Sequence, residues 1–325
     1  MHSLLKSLDS FNDHQDYVVA IIIETKGSTY RKTGAMMLVD QNLNYWELLS
    51  GGCLESDIVH HCKNVFSEQK DQMIDYNMRD EVDMLWGMGL GCDGEISILL
   101  KYLPANKSYY QFFSALNQLD NGISQRLLID KSNDHSISFE SNTNQLDEKN
   151  KNIISIDMKA PHHLLICGGA PDVVPVTAIA NQIGWKTTVI DHRKDYAKKD
   201  NFPQASHVKL IKRSMWKDFD LTKFDSVIIM SHQFQRDQAY VSRLLKTNIP
   251  YIGLLGPSKR RDKILNQCDT NFSKLQGRFY APIGLDIGAD SPETIALAII
   301  SEIQAVIKDK PSENNIKFCY QDATR

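Results

Sequence analysis

From Leu164 onward the chain repeats one pattern, a short run of consecutive apolar residues followed by a polar or glycine-rich turn and an amphipathic stretch. The runs are Leu164-Leu165-Ile166-Cys167, Thr187-Thr188-Val189-Ile190, Ser226-Val227-Ile228-Ile229-Met230 and Tyr251-Ile252-Gly253-Leu254-Leu255, with helices predicted to reach Ile183 and Lys246 between them. Strands that lack apolar–polar alternation are buried on both faces, and strands separated by helices pair in parallel. This half is therefore expected to be an α/β domain of Rossmann type. A last helix is predicted from Ser291-Pro292-Glu293, a capping serine followed by proline at the first helical position, with Ile295, Ile299, Ile303 and Val306 on one apolar face.

The first half has a different texture. Apolar runs at Tyr17 to Ile23, Ala35 to Val39, Glu95 to Leu100 and Arg126 to Ile129, with a helix predicted at Tyr109 to Leu119, indicate a mixed α+β domain. Lys131 to Lys159 is polar and without period, and reads as a hairpin loop followed by an interdomain linker. The expected organisation is an N-terminal domain over 1–158, its 105–158 part holding the hairpin and linker, a Rossmann-type domain over 159–308, and a tail over 309–325. A chain of 325 residues suits two domains.

A net charge of −3 gives no electrostatic footprint for nucleic acid or an anionic membrane. With no apolar run of membrane-spanning length and no signal-peptide pattern at Met1-His2-Ser3, a cytoplasmic location is expected. The six cysteines are scattered without a C-x-x-C pair, so they are expected to be free thiols rather than a disulfide framework, a zinc site or an iron–sulfur site.

Two local patterns carry chemistry. Leu54, Ile58, Cys62 and Val65 predict an amphipathic helix from about Gly52, which places Cys53 of Ser50-Gly51-Gly52-Cys53-Leu54-Glu55 in the first turn. Unpaired N–H groups and the helix dipole there favour an anion or a thiolate. A buried packing thiol is the competing reading. In the second half, Gly168-Gly169-Ala170-Pro171-Asp172 follows a strand, and Asp191 ends the next one. This is the context of a dinucleotide-binding turn, but Ala170 and Val173 stand where further glycines belong, and Asp172 adds charge where a phosphate would sit. Asp191-His192-Arg193 reads equally as a ribose or phosphate contact and as a surface ion pair, and His232 follows the third strand at the sheet edge where ligands collect.

Five stretches together resemble the xanthine dehydrogenase accessory family, XdhC/CoxI. They are Gly27-Ser28-Thr29-Tyr30-Arg31-Lys32-Thr33-Gly34-Ala35-Met36, Ser50 to Glu55, Gly89-Leu90-Gly91-Cys92-Asp93-Gly94, Tyr251 to Arg261, and Ala281 to Ala289. Asp93 stands where the family usually has glycine. The resemblance implies an accessory protein that binds molybdenum cofactor, protects it during sulfuration and delivers it to a xanthine dehydrogenase-type molybdenum hydroxylase. It also implies a sulfur-donating cysteine desulfurase as a partner and a homodimer, and a carrier or chaperone rather than a catalyst. Carried onto this sequence, the cofactor-binding set is Ser28, Arg31, Gly51, Gly52, Cys53, Glu55, Gly91 and Cys92, joined in the Rossmann-type domain by Gly168, Gly169, Asp191, Arg193 and His232. Cys53 and Cys92 are the candidates for sulfur handling, and Cys53 for a molybdenum contact. The competing function is an NAD(P)-dependent oxidoreductase that uses NAD or another nucleotide in the Rossmann-type domain, although no His–Asp couple for hydride transfer is evident in the sequence. The remaining readings are a bare two-domain scaffold and a hydroxylase subunit.

Overall fold

The computed structural model describes residues 1–77, 94–132, 135–141, 152–267 and 277–310. The chain divides into two compact units, Met1–Pro161 and His162–Arg325. The tail from 311 and all of the third stretch except Gly94, including Gly91 and Cys92, lie outside the described residues.

In the first unit, after the short helix α1 (His2–Lys6), β1 (Tyr17–Gly27) is the central strand of an antiparallel sheet with β2 (Met36–Asp40), β3 (Tyr45–Trp46), β4 (Gln72–Asn77) and β5 (Gly94–Leu103), in the order β3-β2-β1-β5-β4. From Tyr17 to Ile22 every residue of β1 is buried, because alternate side chains serve two cores. Val18, Ala20 and Ile22 pack with Leu54, Ile58, Cys62 and Val65 of the α2 region (α2, Glu55–Glu68). Tyr17, Val19 and Ile21 pack with Phe112, Leu116 and Leu119 of α3 (Phe112–Asp120), as well as with a smaller sheet.

That smaller sheet corrects one expectation. The polar stretch read as hairpin loop and linker contains β7 (Ile137–Glu140) and β8 (Ile153–Met158), which flank β6 (Gln125–Asp130) in antiparallel pairing. Leu127, Ile129, Ile137, Ile156 and Met158 close the second core, so a few buried residues suffice where the overall composition is polar. The helix expected from Tyr109 begins at Phe112, because Ser108 to Gln111 take left-handed φ values that an α-helix does not tolerate.

The second unit is built on six parallel strands, β9 (His163–Cys167), β10 (Lys186–Asp191), β11 (His207–Leu210), β12 (Ser226–Ile229), β13 (Tyr251–Leu254) and β14 (Phe279–Tyr280). Their order, β11-β10-β9-β12-β13-β14, is the 3-2-1-4-5-6 arrangement of the Rossmann fold, reversing direction between β9 and β12. One face packs on α4 (Val173–Gln182) and the terminal helix Pro292–Ile307, through Val173, Val176, Ile299 and Ile303. The other packs on Tyr240, Val241 and Leu244 of the helix Phe234–Leu244 and on Ile264 and Leu265 of the helix Ser258–Asn266. These two helices are α6 and α7, after the short α5 (Arg213–Trp216), and the terminal helix is α8. Ser291 caps α8 through a reciprocal capping box with Thr294.

Candidate functional site

Three of the sequence stretches meet at one end of the five-stranded sheet. Gly27, the last residue of β1, pairs with Gly94, the first of β5. A β-carbon on Gly94 would lie 2.4 Å from the Ser28 carbonyl oxygen and 2.9 Å from Thr29 Cγ2, so the end of the third stretch packs directly on the first. A β-carbon on Gly51 would lie 3.9 Å from the Tyr30 ring, which places the Gly-Gly-Cys loop beside the same loop. Ser28 is exposed and Arg31 half-buried, and among the described residues Arg31 takes no carboxylate partner.

The Gly-Gly-Cys loop is fixed from below by a buried carboxylate. Glu55, 2 % exposed, accepts at Oε1 from the backbone N–H of Leu49 (3.0 Å) and of Ser50 (2.7 Å), and at Oε2 from the Ser50 hydroxyl. Ser50 Oγ in turn accepts from the N–H of Leu54 (3.0 Å) and Gly52 (3.3 Å). Burial by itself raises the Glu55 pKa, but the Ser50 hydroxyl and the N–H groups of Ser50, Glu55 and Leu49 outweigh it and hold the carboxyl below its ordinary value. The expectation for Glu55 is a cofactor contact; its side chain instead faces inward and shapes the loop.

Cys53 also departs from expectation in place. The helix begins at Glu55, so Cys53 precedes its N-cap residue Leu54 rather than sitting in the first turn. Gly52 takes φ +109°, a left-handed conformation that cannot continue a helix, and Ser50 Oγ collects the Gly52 and Leu54 donors. The result exposes Gly51, Gly52 and the Cys53 thiol, and among the described residues the N–H groups of Gly51 and Cys53 have no acceptor. The other described thiols are buried, and burial pushes Cys62 up to about 12 and Cys167 well above its ordinary value. Cys53 is thus the accessible thiol among the described residues.

At the carboxyl edge of the parallel sheet in the second unit, acids and bases bind the strand connections to one another. The Asp191 carboxylate accepts from Gly169 N–H (2.8 Å), Arg193 N–H (2.8 Å), Arg193 Nε (3.0 Å) and Arg193 Nη2 (2.7 Å). Burial pushes its pKa up, and the Arg193 guanidinium, stacked 3.6 Å over the Tyr196 ring, with these N–H groups brings it below the ordinary value. Gly168 takes φ +135°, and a β-carbon there would lie 2.3 Å from the Met230 carbonyl oxygen. Its missing side chain therefore serves contact between the β9 and β12 connections. Asp237, 1 % exposed, accepts from the Ser231 hydroxyl and from Arg260 Nη2 at 2.6 Å, linking the connections after β12 and β13.

The structure supplies a His–Asp couple that the sequence does not reveal. His232 Nε2 lies 2.8 Å from Asp172 Oδ2 across the strand reversal, from residues sixty positions apart. The sequence presents Asp172 only as a charge unfavourable to phosphate, and no spacing rule joins it to His232. Glu302 is likewise hidden on an apolar helix; it is 1 % exposed and accepts from the Tyr251 hydroxyl and from Gly284 N–H (3.0 Å), anchoring the Ala281 to Ala289 stretch. Among the described residues no cluster of histidine, cysteine and acidic side chains could hold a metal ion, and no helix is long and apolar enough to cross a membrane.

Comparison with known proteins agrees with this two-unit layout. Residues 11–77 match the XdhC and CoxI family, and residues 164–303 match the XdhC Rossmann domain. A crystal structure described as a xanthine dehydrogenase from Bacillus halodurans superposes with a TM-score of 0.82 at 30 % identity, covering 95 % of this chain and 96 % of that one. A Bacillus subtilis protein described as a probable xanthine dehydrogenase subunit is 28 % identical, over 93 % of this chain and 96 % of the relative. The molybdenum cofactor insertion chaperone PaoD of Escherichia coli is 21 % identical, over 89 % and 83 % of the two chains. The chain belongs to the XdhC and CoxI family, with a Rossmann domain as its second half.

Proposed function

We propose that this protein binds molybdenum cofactor as cargo, shelters it while its terminal sulfido ligand is installed, and delivers it to a xanthine dehydrogenase-type hydroxylase. A homodimer in the cytoplasm that receives sulfur through a cysteine desulfurase completes the reading. An accessory role in molybdenum cofactor chemistry is what the likeness to PaoD supports. The observation that carries the finer reading is the meeting of the Ser28–Arg31 loop, the Gly51–Cys53 loop and Gly94 at one sheet end. Such a cargo joins a phosphate to a thiophilic metal. The Gly51 and Cys53 N–H groups, which have no acceptor among the described residues, and the Arg31 guanidinium suit the former, and the exposed Cys53 thiol the latter. The full-length protein is loaded with cofactor, quantified by fluorescence of the oxidised pterin, and mixed with apo-hydroxylase. Cys53→Ser is expected to lower hydroxylase activation at least tenfold; unchanged loading together with unchanged activation would remove Cys53 from the mechanism.

The Rossmann strand order favours the oxidoreductase reading, but the acid that would receive the ribose hydroxyls of a dinucleotide is Asp191, whose carboxylate already accepts four protein donors. Equilibrium titration with NAD and NADP separates the two functions, since a dehydrogenase must saturate with one of them.

A further inference from the structure

A cavity of about 500 Å³, the size of an ordinary small-molecule site, opens in the first unit between α3, the paired strands β6 and β7, and the turn that precedes α3. It is separate from the meeting of the Ser28 and Gly51 loops. That meeting lies at Gly94, the first residue of β5, whereas the turn follows Leu103, the other end of the same ten-residue strand, which spans about 30 Å.

Every side chain that lines the cavity is uncharged. Ala115 and Ile137, both buried, supply apolar surface, Tyr110 and Phe139 supply rings, and the glutamines, Gln118 and Gln125 among them, supply amides. A carboxylate, phosphate or ammonium taken into such a lining would lose hydration without gaining a counter-charge, so the lining suits a neutral ligand.

The amides define what that ligand must offer. Gln125 is 2 % exposed, and its Nε2 donates to Gln118 Oε1 (2.9 Å) and to the carbonyl oxygens of Ser124 (3.1 Å) and Ile123 (3.4 Å). Both carbonyls can only accept, so the Gln125 amide cannot be turned over, and its N–H fixes the oxygen of Gln118 in turn. Gln125 Oε1 is then left without a donor, and Gln118 Nε2 without an acceptor, among the described residues. The two side chains make one of the two bonds of an amide pair and turn the other donor and acceptor over to the cavity. A carbonyl on so deeply buried a side chain takes its missing donor from whatever occupies that space.

The rings are held in place. Lys101 Nζ lies 5.0 Å from the Tyr110 ring centroid, Lys107 Nζ donates to the Tyr110 hydroxyl at 3.4 Å, and the Phe139 and Phe112 centroids are 6.3 Å apart. Tyr110 comes to the cavity from a turn in which Ser108, Tyr109, Tyr110 and Gln111 take φ between +49° and +71°, a left-handed run unfavourable for residues with a β-carbon. Strain of this kind persists where the surroundings hold a side chain in one position.

We propose that this cavity binds a free heterocyclic base with a lactam edge, of the oxopurine and pterin class. The ring N–H donates to Gln125 Oε1, the adjacent carbonyl accepts from Gln118 Nε2, and Tyr110 and Phe139 pack on the ring. The site belongs to the first unit alone and stands whether or not the Gly94 end carries molybdenum cofactor.

Isothermal titration of the full-length protein with hypoxanthine, pterin and 1,9-dimethylhypoxanthine, which keeps the ring and carbonyl but has no N–H, tests this. Hypoxanthine or pterin is expected to bind about tenfold or more tighter than the dimethyl compound, and the tighter of the two identifies the source of the base. Gln118→Glu keeps an oxygen for Gln125 but removes the donor, and should weaken binding about tenfold. Ser114→Trp, at an exposed position on the lining, should block binding with thermal melting unchanged, which separates this cavity from pterin binding elsewhere on the protein. No binding of either base, equal binding of the dimethyl compound, or unchanged affinity in Ser114→Trp would overturn the proposal.

Discussion

Gly94 lies so close to Ser28 that a β-carbon on it would stand 2.4 Å from the Ser28 carbonyl oxygen. The obstructing atom is backbone, and the strand pair Gly27–Gly94 leaves it little freedom to withdraw. Gly94→Ala is expected to cost roughly 2 kcal/mol or more of stability in urea denaturation, within the usual range for overpacking. It should also displace the Ser28–Arg31 loop and weaken cofactor loading. A melting curve and loading capacity equal to those of the parent protein would contradict this account.

Glu55 acts on the Gly-Gly-Cys loop through Ser50. Glu55→Ala strands the Ser50 and Leu49 donors in a buried place, and a loss of about 2–4 kcal/mol is expected from that number of orphaned groups. Glu55→Gln retains an acceptor oxygen and should lie between. The Glu55 carboxyl is held below its ordinary value, so its contribution is fully present above the unfolded carboxyl pKa and is lost as pH falls from there through the lower folded one. Urea midpoints from pH 3 to 7 should show a shallower acid decline for Glu55→Gln than for the parent chain.

His163 also weakens the fold on acidification, in a window above that of Glu55. Burial, joined by His207, Lys186 and Lys223, lowers its pKa to about 4, while the unfolded chain titrates at the ordinary 6.5. The unfolded state thus binds more protons between these values, and stability must fall as pH drops from 6.5 toward 4. Thermal melting in that window is expected to be less pH-dependent in His163→Gln, an outcome checked by calorimetry in matched buffers.

Glu302 has the opposite sign. Burial raises its pKa against the bonds from Tyr251 and Gly284, so its stabilising effect is complete below the unfolded carboxyl pKa and declines as pH rises through the folded one. Glu302→Gln keeps one oxygen for both donors without a buried charge and is expected to melt at or above the parent temperature at pH 7. Glu302→Ala should lose about 2–3 kcal/mol by leaving both donors unpaired. A destabilised Glu302→Gln would mean that the negative charge itself is required.

Continuous apolar runs such as Leu164–Cys167 and Ser226–Ile229 determined the parallel sheet from sequence alone, because a strand covered on both faces has no polar position to spare. The start of α8 was equally legible: Ser291, read as a capping serine before Pro292, does accept from the Thr294 N–H, a local bond needing no distant partner, while the returning Thr294 bond was seen only in the structure. The strands Ile137–Glu140 and Ile153–Met158 were hidden in a polar stretch, since their stability comes from β6 and a core contributed by other elements. The Gly-Gly-Cys loop announced itself by composition, but the helix start after Cys53 was decided by Ser50 and Glu55, whose hydrogen bonds exist only once the loop has closed. Tertiary structure alone joined Asp172 to His232, Gly94 to Ser28 and Asp237 to Arg260. Periodicity reports which face of an element is buried, whereas a contact across two strand connections depends on where the sheet places their ends.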